Sequence, residues 1–360
     1  MCGGKRYNID MKVSVVIPVY NQRPYLAECL DSVLSQTLRD IEIICIDDGS
    51  TDGSGRMLDE YAAHDLRLRV VHQKNAGVGR ARNRGIDEAT GDFVAFMDPD
   101  DLYPDARTLE DMYVAAVANG AKVCGGSFME FLPNGAERTR YDGLMAGMSF
   151  EKDGFVNYSD WQFDYGYVRF LYARKVLLEG GIRFPRYVRY QDPPFFVRAM
   201  AAAKTFYALR RVTYRCRIAG GGIMWRSNKA RKFKALCAGL CDVAEFAHKK
   251  GLDRLAELQR ERALHDFGDL FFDDELCRMA RWRVWRLFKA LGFRCRVRRW
   301  HVWLGIEPSS LVSYAVKRPE PIPGDAEERL RRIYVGDLEN FGKAYADGMA
   351  EIRKGAIHGS

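Results

Sequence analysis

Asp98-Pro99-Asp100-Asp101 sets three carboxylates within four residues directly after an apolar run, Phe93-Val-Ala-Phe-Met97. Packing that much like charge at the end of a buried strand is costly unless a cation or strong donors neutralise it. Hard oxygen ligands on a rigid strand end suit Mg²⁺ or Mn²⁺. Such a cation, held by one or two protein carboxylates, fills its other positions with phosphate oxygens and water. A second acidic cluster, Asp47-Asp48-Gly-Ser-Thr-Asp52, also follows an apolar run and could accept hydrogen bonds from a base N–H or from ribose hydroxyls. Taken alone it suits a helix-capping turn better. Pro18-Val19-Tyr20-Asn21 and the turn Asn75-Ala-Gly77, with Arg80, Arg82 and Arg84 behind it, complete a set that fits a nucleoside diphosphate neutralised by a cation and arginine. Gly77-Val-Gly79 lacks the third glycine of a dinucleotide fingerprint and follows the wrong strand, which argues against hydride chemistry.

These residues need a frame that brings them to one edge. From Lys12 to about Pro104, short β-branched runs alternate with helical stretches, the pattern of a mostly parallel, Rossmann-like α/β sheet flanked by helices. Strands are expected at Val13–Ile17, Ile41–Ile46, Phe93–Met97 and, more weakly, Leu68–His72, with crossover helices over Tyr25–Ser35, Gly53–His64 and Arg80–Ala89. The polar clusters then all follow strand C-termini, where open parallel sheets bind ligands. Further strand-like pieces run over Lys122–Phe128 and Thr205–Cys216, and a helix is expected from the Pro193-Pro194 pair. From Asn228 onward the chain reads as helical.

The 360 residues, 47% of them hydrophobic, supply enough apolar material for a folded core with an appendage and exclude disorder as the dominant state. No window offers the uninterrupted apolar length a membrane-spanning helix needs. Residues 1–10 have a basic pair but neither apolar core nor small-residue cleavage site, so they read as a flexible leader and the expected location is cytoplasmic. The nine cysteines are odd in number and form no C-x-x-C pair, so they are expected as buried free thiols.

Residues 12–104 resemble the nucleotide-binding half of glycosyltransferase family 2, of the GT-A fold. The resemblance is carried by Val13-Ser-Val-Val-Ile-Pro-Val-Tyr-Asn21, Leu30-Asp-Ser-Val-Leu-Ser-Gln-Thr37, Ile46-Asp-Asp-Gly-Ser-Thr-Asp52, Asn75-Ala-Gly77, Ala81-Arg-Asn-Arg-Gly85 and Met97-Asp-Pro-Asp-Asp101. It implies an inverting transfer of a sugar from a nucleoside diphosphate, a UDP-sugar foremost, with Mn²⁺ or Mg²⁺. Pro18, Val19, Tyr20, Asn21, Asp48, Asn75, Gly77, Arg82, Asp98 and Asp100 would then bind the donor. Among them Val19 and Asp48 would contact the base and Asp98 or Asp100 the ribose, while Asp100 and Asp101 would hold the metal. One-step inversion needs a base for the acceptor hydroxyl. The family places an acidic pair before a Phe-rich helix, and Tyr190-Gln191-Asp192-Pro-Pro-Phe-Phe196 stands where that pattern is expected, with Gln191 replacing the first acid. Asp192 is therefore the candidate base; the alternative is a helix N-cap. On this reading residues 11–110 are the donor half and 111–225 the acceptor and catalytic half. Gly220–Gly222 would serve either as the hinge of a lid over the donor diphosphate or as a plain linker, and a helical domain is expected over 226–360.

The formal charge of +8 concentrates in the amphipathic segment 278–301. Ala280, Val284, Leu287, Phe288 and Leu291 form its apolar stripe, opposite Arg281, Arg286 and Lys289, with Trp282 and Trp285 beside the charged arc. An anionic membrane surface is the favoured partner for that arc, at the inner face of the cell membrane. A plain solvated face is the bland alternative, and no nucleic-acid module accompanies the patch. The acceptor expected is a glycan or a polyprenyl-diphosphate-linked chain of a bacterial-type surface polysaccharide, and self-association of the tail stays open. Two other functions compete: a nucleotidyltransferase acting on sugar phosphates, which would need a glycine-rich first loop, and a non-catalytic nucleotide- or glycan-binding subunit.

Overall fold

A computed structural model describes residues 11–132, 134–218, 228–266, 270 and 274–292. The first strands are β1 (Val13–Val19), β2 (Ile41–Asp47), β3 (Leu68–His72) and β4 (Phe93–Phe96). β1 and β4 are buried along their whole length, so their sequences run apolar without alternation. The crossover helices are α1 (Arg23–Leu34), α2 (Ser54–His64) and α3 (Val78–Glu88). α1 buries Leu26, Cys29, Leu30 and Val33, one face at helical spacing. α3 packs through small residues instead, burying Gly79, Ala81 and Gly85 together with Arg82. A Cβ on Gly85 would stand 2.1 Å from Val16 Cγ1, so glycine alone lets α3 lie this close to β1.

The chain continues through α4 (Thr108–Ala118), β5 (Val123–Phe131), β6 (Glu137–Arg138), β7 (Gly154–Asn157), α5 (Tyr158–Trp161), β8 (Phe170–Ala173), α6 (Arg174–Glu179), α7 (Asp192–Ala203) and β9 (Thr205–Arg217). All strands join one sheet in the order β3-β2-β1-β4-β8-β5-β9-β7, with β6 on β5. β1 to β4 pair in parallel. Beyond β4 the sheet is mixed, because β8 runs antiparallel to β4 and β5, and β7 antiparallel to β9. Both inserted strands are four residues long, too short to carry a periodic signal in sequence. Strand order reverses between β1 and β4, so the turns after these two strands flank a crevice at the sheet's C-terminal edge.

A helical layer follows: α8 (Lys229–Lys250), α9 (Asp253–His265) and α10 (Asp274–Ala290). Its own apolar cluster joins Phe233, Leu236, Cys237 and Leu240 to Ala280, Val284, Leu287, Phe288 and Leu291, so the stripe expected in the basic segment is the face that packs on α8. The expected hinge at Gly220–Gly222, the leader 1–10 and residues 293–301 of the basic segment lie outside the described residues. Five of the six described cysteines are buried and none is bridged.

Candidate active site

Arg82 is the hub of the crevice. It rises from the middle of α3, and its guanidinium donates from Nη2 to Asp98 Oδ1 and from Nη1 to Asp192 Oδ1, each at 2.7 Å. The guanidinium lies 5.0 Å from the ring of Tyr167 and 5.3 Å from that of Phe184, so it is desolvated by aromatic faces and neutralised by two carboxylates at once. Phe184 in turn stacks on Phe195, and Phe96 packs edge-on against both, which makes the floor rigid. Expected among the donor-binding residues, Arg82 is 4% exposed and joins two walls of the site.

Asp192 does not cap a helix. Gln191 occupies the N-cap position of α7 with no side-chain capping bond, and the Asp192 carboxylate turns to Arg82. It lies deep in the crevice, yet 39% of its side-chain surface still meets solvent. That depth raises its pKa above the usual carboxylate range, with Arg82 pulling the other way. A carboxylate that is accessible, oriented and raised in basicity has the properties a general base needs.

The acidic turn divides its labour. Asp98 faces Arg82 and also lies 3.4 Å from the Tyr167 hydroxyl. Asp101 is buried, with Oδ1 accepting from the Arg217 backbone N–H at 2.7 Å and Oδ2 from the Tyr214 hydroxyl at 2.7 Å. With both oxygens accepting hydrogen bonds, Asp101 braces the turn against the end of β9. Asp100 pairs with no cation among the described residues, and burial followed by repulsion from Asp98 pushes its pKa up to about 6. An under-compensated carboxylate is the kind a divalent cation relieves. No group of three or more ligating side chains forms among the described residues, so a cation here would take Asp100, donor oxygens and water, a set that fits Mg²⁺ or Mn²⁺ better than a closed protein cage.

The loops after β1 and β2 brace one another. Asn21, at φ +53°, donates its N–H to Ser50 Oγ and accepts from the Thr51 N–H, while the Gln22 and Arg23 N–H groups donate to Ser54 Oγ and Asp52 Oδ2. Asp47 accepts from the Ser50 N–H and contacts His72. The two residues expected at the base lie within this same loop framework. Val19 is fully buried, its carbonyl accepting from the Asp48 N–H, and Pro18 is likewise buried. Asp48 accepts from Gln73 Nε2 and from the Ala76 and Gly77 N–H groups, so its charge shapes the Asn75–Gly77 turn. Gly77 sits at φ +93°, a conformation that favours glycine there. The exposed surfaces offered to a ligand are Tyr20, Asn75 and Gly77.

Several contributors were not legible beforehand. Tyr167 and Phe184 frame Arg82, and Tyr214 and Arg217 hold Asp101. Only the position of Tyr214 and Arg217 at the end of a strand-like run hinted at a role.

Residues 14–181 match the family model described as Glycosyl transferase family 2. Over those residues, a little under half of the chain, the sequence is similar to glycosyl transferase family 2. The matched region ends before Asp192, whose place opposite Asp98 is given by the geometry alone. An uncharacterized glycosyltransferase of Bacillus subtilis, EpsJ, is 34% identical over 199 residues, which cover 53% of this chain and 57% of that one. YibD of Escherichia coli, also an uncharacterized glycosyltransferase, is 35% identical over 195 residues, 51% of this chain and 55% of its own. The chain thus spans a little over half the length of these two relatives. Among solved structures, Staphylococcus aureus TarS 1–349 in complex with UDP-GlcNAc superposes with a TM-score of 0.62 at 22% identity, covering 79% of this chain and 82% of that one. A Pyrobaculum calidifontis mannosyltransferase in complex with GDP-Man and Mn²⁺ gives 0.51 at 16% identity, covering 97% and 88%. These likenesses show the fold: a GT-A-like α/β sheet followed by helices.

On α10, Trp282, Arg283, Arg286 and Lys289 are exposed opposite the packed stripe. Arg286 is engaged within the protein, its Nε and Nη2 on the two carboxylate oxygens of Glu245 at 3.0 and 2.8 Å. Trp285 is half-buried, edge-on to Trp282 and under the Lys289 ammonium. The side chain of Arg281 lies outside the described residues. No helix among the described residues is long and apolar enough to cross a membrane.

Proposed function

We propose that the chain transfers a sugar, with inversion, from a nucleoside diphosphate donor to a hydroxyl of a glycan or lipid-diphosphate-linked acceptor of a bacterial-type surface polysaccharide. The observation that carries this is Arg82, which ties the donor-side carboxylate Asp98 and the opposite carboxylate Asp192 to one guanidinium. Asp98 faces the ribose, and Tyr20 with the Asn75–Gly77 turn borders the nucleoside. Asp192 takes the acceptor proton as the new C–O bond forms and the bond to the diphosphate breaks, releasing a nucleoside diphosphate. A divalent cation held by Asp100 would offset the charge of the departing diphosphate. UDP is the donor base to test first, because the TarS structure that shares this fold contains UDP-GlcNAc.

The test is a thermal-shift screen of nucleotide sugars with Mn²⁺, followed by turnover on the stabilising donor. Asp192→Asn should keep the donor-induced shift and lose turnover by roughly 10²-fold or more. Asp100→Ala should lose the shift as well. Turnover surviving both substitutions would refute the assignment.

The basic face of α10 supports a companion reading, that the enzyme rests on an anionic membrane surface from which it draws a lipid-linked acceptor. Sedimentation with phosphatidylglycerol vesicles, but not phosphatidylcholine vesicles, should require Trp282, Arg283 and Lys289. Equal sedimentation with both, or a Trp282→Ala/Lys289→Glu variant that binds as the parent does, counts against it.

A further inference from the structure

Asp192 is held on one side by Arg82, and what holds its backbone comes from elsewhere in the chain. Tyr190, two residues earlier, has φ +59°, a region that bulky residues avoid, and is only 7% exposed. Its ring does not join the large core under the sheet. It belongs to the apolar cluster of the helical layer, with Phe233, Leu236 and Leu240 of α8, and it is the cluster's one described member from before residue 228. α8 approaches so closely that a Cβ on Gly239 would stand 2.6 Å from the Tyr190 carbonyl oxygen and 2.7 Å from its ring.

The Tyr190 hydroxyl points into a buried polar network. It lies 3.2 Å from Gln259 Oε1 and 3.4 Å from Asp164 Oδ2, and Gln259 Nε2 donates to the same Asp164 oxygen at 2.7 Å. Arg262 closes the network, donating from Nε and Nη2 to the Asp164 carboxylate at 2.7 to 3.0 Å. Asp164, Gln259 and Arg262 are all essentially inaccessible to solvent. Hydroxyl contacts of 3.2 and 3.4 Å are long, so the ring's burial supplies most of the hold and the network fixes where the ring goes.

We infer that Tyr190 is a positioning residue for the transfer: seated in the helical layer, it fixes the turn that presents Asp192 to Arg82 and to the acceptor hydroxyl. The helical layer is thereby part of the catalytic geometry rather than an appendage. This rests on Asp192 being the base. A backbone held in a costly conformation directly before a reacting group is where strain serves placement, and a misplacement of about 1 Å can cost roughly 10²-fold in rate.

The experiment uses the full chain and compares Tyr190→Phe, Tyr190→Gly and Gly239→Ala with Asp192→Asn. Phenylalanine keeps the ring, so kcat should stay within about threefold of the parent. Glycine adopts the same φ without strain but removes the anchor, so kcat should fall by roughly 10²-fold while the donor KM and dissociation constant hold. A merely structural tyrosine would lower the melting temperature and leave the kcat of folded protein unmoved. Should Tyr190→Gly fail to fold, Gly239→Ala displaces the same turn more gently and should lower kcat with donor binding intact. Parental kcat in whichever of the two folds, while Asp192→Asn is inactive, overturns the role of Tyr190. Parental turnover by Asp192→Asn overturns the base assignment, and this inference with it.

Discussion

The Tyr214 hydroxyl donates to Asp101 Oδ2 at 2.7 Å, so the last turn of β9 holds the acidic turn from behind. The hydroxyl oxygen also accepts from the Asp98 backbone N–H at 3.1 Å, so one phenol joins the Asp101 carboxylate to the backbone at Asp98. Replacing it with Tyr214→Phe strands a buried carboxylate oxygen and a backbone N–H. The expected cost is about 1–3 kcal/mol, read as a lower melting temperature. Asp100 is not a partner of Tyr214, so Mn²⁺-dependent UDP binding should survive within a few-fold in calorimetry. An unchanged melting temperature would show that the brace contributes nothing.

Arg82 carries a sharper expectation. Arg82 is buried while Asp98 and Asp192 stay partly solvated, so Arg82→Met, which removes the cation from both, should cost less than the loss of about 3–5 kcal/mol for a fully buried broken pair. Arg82→Lys retains the charge but not the fork that spans Asp98 and Asp192. The lysine variant should therefore fold and bind donor, yet lose turnover. Equal turnover by the lysine enzyme would mean that the joint between the two walls is not needed for chemistry.

How much of this was readable beforehand follows from the physics of each element. β1, β2 and β4 are buried on both faces, so their apolar runs announced them, and α1 showed its face by periodicity. The acidic turn stood out because three like charges after a buried strand demand an explanation. β7 and β8 left no trace, since four residues are too few to carry a period. The roles within the site were harder. Nothing in the spacing of Asp100 and Asp101 says which carboxylate is spent on Tyr214 and Arg217, because those partners arrive from more than a hundred residues away. The aromatic enclosure of Arg82 was hidden for the same reason: Tyr167 and Phe184, which enclose it, are contributed by segments with no motif.

Gly85 tests the packing beneath the crevice. Gly85→Ala would drive a Cβ into Val16, whose Cγ1 would be 2.1 Å away, and push α3 off β1. Overpacking of this kind costs about 1–3 kcal/mol. The double variant Gly85→Ala/Val16→Ala vacates the colliding methyls and should recover part of that loss. Additive losses in the double variant would show that the two sites do not touch in the way described.

His72 gives the pH dependence. Its Nδ1 and Nε2 each lie 2.9 Å from a carboxylate, Asp47 at the end of β2 and Asp59 on α2, and these bonds raise its pKa above the ordinary value near 6.5. The folded protein therefore binds this proton more tightly than the unfolded chain. The resulting stabilisation is fully present below about pH 6.5 and is lost as pH rises through the folded-state value. Because the ring is half exposed, solvent screening keeps the effect to about 1 kcal/mol or less. The melting-temperature gap between the parent and His72→Gln should thus be widest near pH 6 and shrink by pH 9. A gap that holds constant across that range would mean that the imidazole is bound neutral between the two acids, and that α2 is tied to β2 by hydrogen bonds without charge.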